Sequence, residues 1–72
     1  WGGLCEYMTA PASSIVTLPD NVTCQQASRL GYTGTGYSAL RKGGAGPGVT
    51  TMITGASGTL GLGTTLCALG LG

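Results

Sequence analysis

No histidine occurs among the 72 residues, so neither a Ser-His-Asp nor a Cys-His site can be assembled from this chain alone. Carboxylates are limited to Glu6 and Asp20. Neither has flanking residues that point to a paired-carboxylate hydrolase: Asp20 follows Pro19 and reads as a turn residue, and Glu6 as a solvated charge. Gly34-Thr35-Gly36 and Gly61-Leu62-Gly63 are only fragments of nucleotide loops, without the full glycine spacing or the Lys-Ser/Thr of a phosphate loop. With no CxxC pair there is no seed for a zinc site. The expectation is a protein that is not an enzyme, with no catalytic residue, no metal and no cofactor.

Charge is almost as scarce. Glu6, Asp20, Arg29, Arg41 and Lys42 are the whole set, net +1, where ordinary domains carry about a quarter charged residues. Two adjacent cations, Arg41 and Lys42, release too few counterions to hold nucleic acid, so no nucleic-acid partner is expected. Phenylalanine is absent too, and 15 glycines add backbone entropy that folding must overcome. A chain this short is one small domain, or half of one, and its core barely outweighs chain entropy. So weakly charged a surface implies that part of it is covered by another subunit, a copy of itself or a membrane.

What is present begins with three cysteines, Cys5, Cys24 and Cys67. An odd count gives one disulfide plus a thiol that is free or bonded to another chain. All three pairings are open, Cys5 with Cys24 being the most economical. Asn21-Val22-Thr23 matches the acceptor pattern for N-glycosylation, and with the cysteines it makes Asn21 a candidate site in a secreted chain. Trp1 as the first residue points to a mature piece cut from a precursor.

Along the chain, residues 13–18 are β-branched and end at Pro19-Asp20, which predicts a strand. Tyr7, Met8 and Thr9 are a shorter strand candidate. Thr23 with Gln26 three residues later fits a capping box, which predicts a helix over 24–30 that stops at Gly31. The helix is expected to resume over 36–42, where Arg41 and Lys42 suit a helix C-terminus. Residues 43–48 form a Gly-rich loop, and 49–54 again have strand composition. Tyr32 and Tyr37 are either core cover or a stacking surface for a sugar or headgroup.

The tail, 55–72, is apolar and built from Gly, Leu and Thr. With period two, Leu60, Leu62 and Leu66 share a face; with period 3.6, Gly55, Gly58, Gly61 and Gly63 form a groove for close helix packing. Strand, helix and disorder all remain open for it. On any of them, Leu60, Leu62, Leu66, Leu69 and Leu71 are the candidate membrane or partner surface.

The Cys5-Glu6-Tyr7 start, the Trp1 terminus, the strand–helix–strand order and the hydrophobic Gly-rich end resemble the hydrophobic subunit of the salt-mediated killer toxins secreted by halotolerant yeast. Other fungal killer toxins are much richer in cysteine. The resemblance implies an α+β fold, a split βαβ (ferredoxin-like) α/β sandwich completed by a second polypeptide. It implies a secreted cytotoxic subunit that pairs with a second chain and acts at the target-cell plasma membrane, by permeabilisation. The alternative from composition is a structural subunit of a filament or coat, with the Leu/Gly tail packing against copies of itself.

Overall fold

A computed structural model describes residues 2–72; Trp1 lies outside the described residues. In order, a short 3-10 turn over Ala12–Ser14 is followed by α1 (Cys24–Ala27), α2 (Leu30–Lys42) and α3 (Thr59–Leu71). There is no strand among the described residues. The expected split βαβ sandwich is therefore wrong, and the chain is helical. Ile15 is extended, with φ −98° and ψ 130°, but the expected strand over 13–18 does not form, and Ser13 and Ser14 lie in the 3-10 turn. A strand exists only as one side of a ladder; the Ile15 and Val49 N–H groups donate to Ala12 O and Gly46 O in local turns, and residues 15–18 and 49–54 form no ladder with another segment.

The capping box forms as the spacing predicts. Thr23 Oγ1 accepts from the Gln26 backbone N–H at 3.2 Å, and Gln26 Oε1 accepts from the Thr23 N–H at 2.9 Å. Yet α1 is one turn, and Gly31 does not stop the helical path: α2 begins at Leu30 and runs unbroken through Gly31, Gly34 and Gly36. Two hydroxyls turn back onto this stretch, Thr33 to the Arg29 carbonyl at 3.2 Å and Thr35 to the Gly31 carbonyl at 3.1 Å. Each glycine costs the helix about 1 kcal/mol relative to alanine, so packing must hold it.

The end of α2 is well defined. Gly44 sits at φ +75°, its N–H donates to Arg41 O, and the Ala45 N–H donates to Leu40 O at 2.9 Å. That pair of bonds is the Schellman closure, which wants glycine at the left-handed position. Next, Gly46, Pro47, Gly48 and Val49 form a type II turn: Gly48 has φ +78°, and the Val49 N–H donates to Gly46 O at 3.1 Å. These two devices turn the chain off α2 and start it on the path that leads to α3.

The tail is a helix, which removes its reading as a strand. Its packing is what sustains α2. Thr33 and Gly36 of α2 face Gly63 and Thr64 of α3, each glycine set against a threonine of the other helix. A Cβ on Gly36 would overlap the Thr64 hydroxyl and stand 2.9 Å from the Thr64 Cα. One on Gly63 would stand 3.2 Å from the Thr33 Cα. Small residues thus let the two backbones approach closely, the same device that packs helices in lipid. At the rim of this seam the Arg29 guanidinium donates to Thr59 Oγ1 at 3.5 Å. Leu40 is the one buried large apolar side chain among the described residues, only 6% exposed.

Candidate interaction surface

Helix α3 has no charged residue, and its N-cap, Gly58, supplies no side-chain hydrogen bond. Its own threonines satisfy themselves locally: Thr64 and Thr65 hydroxyls donate to the Leu60 and Gly61 carbonyls, each at 2.8 Å. Gly63 is buried in the seam, while Thr64 and Cys67 are half-buried there. The Cys67 thiol reaches the Thr33 carbonyl at 3.7 Å. At 100° per residue, Leu62, Leu66 and Leu69 fall within an arc of roughly 60°, turned away from that seam. They are 52%, 60% and 74% exposed, which makes them a continuous apolar stripe at i, i+4 and i+7.

The five leucines expected to form one surface are thus divided. Leu62, Leu66 and Leu69 share the stripe. Leu60 is exposed but borders an open groove of about 730 Å³, together with Leu40, Val49, Met52, Ile53 and Thr64. Leu71 is half-buried. Alternation by two had put Leu60, Leu62 and Leu66 on one face; the helix replaces it with a period that selects Leu62, Leu66 and Leu69.

The cysteines are all free thiols: Cys5 and Cys24 exposed, Cys67 half-buried. The Cys5 sulfur lies 2.8 Å from the Tyr7 carbonyl, and Cys24 is the first residue of α1. No two of them are brought together. Asn21 is exposed on the turn that leads into α1, closed by the Val22 N–H donating to Pro19 O at 3.0 Å. Tyr32 and Tyr37 are 55% and 45% exposed, so neither covers a core.

Of the Thr33/Gly36 and Gly63/Thr64 seam, sequence reasoning reached only Gly63, as part of a small-residue groove, and missed Thr33 and Gly36. Its signal was present, since small residues recur at helical spacing in both stretches. The glycines of 31–36 read instead as an interruption, and that hid one half of the pair.

No helix among the described residues is long and apolar enough to cross a membrane. The 13 residues of α3 amount to about 20 Å, against a hydrocarbon core of about 30 Å. Comparison of the chain with protein-family models, with curated proteins and with solved structures found no match.

Proposed function

We propose that this chain is a secreted cytotoxic subunit of the killer-toxin kind, which pairs with a second chain and permeabilises the target-cell plasma membrane through the outward face of α3. The observation that carries this reading is the Leu62–Leu66–Leu69 stripe, exposed on a helix without a single charge. Burying the exposed parts of three leucines is worth on the order of 3–5 kcal/mol, enough to drive docking on an apolar surface. Because α3 is too short to span, it acts from within the interfacial layer, thinning and disordering the leaflet beneath it. The groove beside Leu60 offers the second chain a place to seat without occupying the stripe.

This mechanism carries a prediction about lipid charge. With no cation on α3, attraction to anionic headgroups contributes little, and the driving force is apolar area. Dye release from vesicles should therefore be similar for neutral and anionic lipid and nearly independent of salt. Release from neither kind at any pH, with the chain alone or paired with its second chain, would overturn the reading.

One observation favours a second reading, a filament or coat subunit. The exposed area is 5938 Å², well above the roughly 4,100 Å² of a compact monomer of this mass. Copies packed through α3 would cover the excess. Electron microscopy separates the two: ordered filaments or shells favour assembly, and discrete small particles remove it.

A further inference from the structure

The turn before α1 holds a motif that the proposed function does not use. Asn21 is exposed there, and the Pro19–Val22 bond turns the chain at that point. Two residues on, Thr23 completes the acceptor triplet, and its hydroxyl has a second employment: it accepts the Gln26 N–H as the N-cap of α1. The same oxygen is thus both the recognition group for a glycosyl transferase and the group that closes a helix.

We infer that Asn21 is an N-glycosylation site whose acceptor threonine also serves as the N-cap of α1. The inference rests on the secretion assumed in the proposed function. In the transfer, the Asn21 carboxamide nitrogen attacks the anomeric carbon of a lipid-linked oligosaccharyl diphosphate. The N–C bond forms and the C–O bond to the diphosphate breaks. The diphosphate leaves with the electron pair, and a base of the transferase takes the amide proton. Neither atom set is oxidised. An uncapped Thr23 is presented while the chain is still unfolded, or when α1 opens, and a helix of one turn opens readily. Once the glycan is attached, the turn carries it outward and the capping box forms behind it.

The two roles of Thr23 are separable by substitution. Thr23→Asp keeps a good N-cap and removes the acceptor hydroxyl, whereas Thr23→Ser keeps both. Asn21→Gln removes only the acceptor amide. The full chain, secreted from a eukaryotic host behind a signal peptide, is read by intact mass before and after peptide N-glycosidase. Wild type and Thr23→Ser should show a ladder above the bare 7.1 kDa chain that collapses on digestion and leaves Asn21 converted to aspartate. Thr23→Asp and Asn21→Gln should show the bare mass, with helicity by circular dichroism unchanged. A wild-type chain recovered from the medium at its bare mass overturns the inference, even if it releases vesicle contents; a glycosylated chain that releases nothing overturns the function and leaves the site standing.

Discussion

Two glycines of α2, a few residues apart, should respond to alanine with opposite signs. At Gly34 a Cβ meets nothing within 4 Å, so alanine there gains helix propensity, about 0.5–1 kcal/mol. At Gly36 the Cβ enters the Thr64 side chain and backbone, so alanine forces the helices apart and costs about 1–3 kcal/mol. Thermal melts followed by circular dichroism give both values. Adding Thr64→Gly to Gly36→Ala should recover part of the loss, because the overlap then has room to relax. A Gly36→Ala chain as stable as wild type would contradict close backbone approach at the seam. At this scale the sequence was readable where one residue answers a neighbour, as Thr23 answers Gln26. It was unreadable where the answer sits far along the chain, as Gly63 and Thr64 answer Thr33 and Gly36.

For whole elements, α1 and α3 sit at opposite extremes. α1 is four residues secured by its box, so Thr23→Ala should cost about 1 kcal/mol, and Thr23→Asp should restore it. α3 has no side-chain cap, no charge and three internal glycines, and isolated helices of its length are marginal in water. It is held helical by its packing against α2 along the glycine–threonine seam. A synthetic peptide of residues 59–71 should accordingly be unstructured in buffer and turn helical on vesicles, as seen by circular dichroism. Local preference therefore left the tail open between strand, helix and disorder, since glycine forms both regular elements poorly and threonine leans to strand, and packing decided. The strand readings of 13–18 and 49–54 failed for the complementary reason. Composition can make a segment extended, but only a second strand makes it a sheet.

Across the whole molecule, the balance of buried and exposed surface matters more than any one contact. Among the described residues, one buried leucine and a glycine–threonine seam are a thin interior, and the other large apolar side chains lie mostly outside. Low charge and high glycine content lead to the expectation of a partly covered surface. What they could not give was its location, because a face depends on which period the chain adopts. Once the tail is a helix, Leu62, Leu66 and Leu69 stand together as one exposed apolar stripe. The most direct measurement is vesicle dye release by the triple variant Leu62→Gln, Leu66→Gln and Leu69→Gln, with helicity in buffer recorded beside it. Glutamine matches leucine closely in helix propensity, and the three positions lie outside the seam, so the fold should persist while release falls to background. Release at the wild-type level from a variant that keeps its helicity would contradict the assignment of the α3 stripe as the working face.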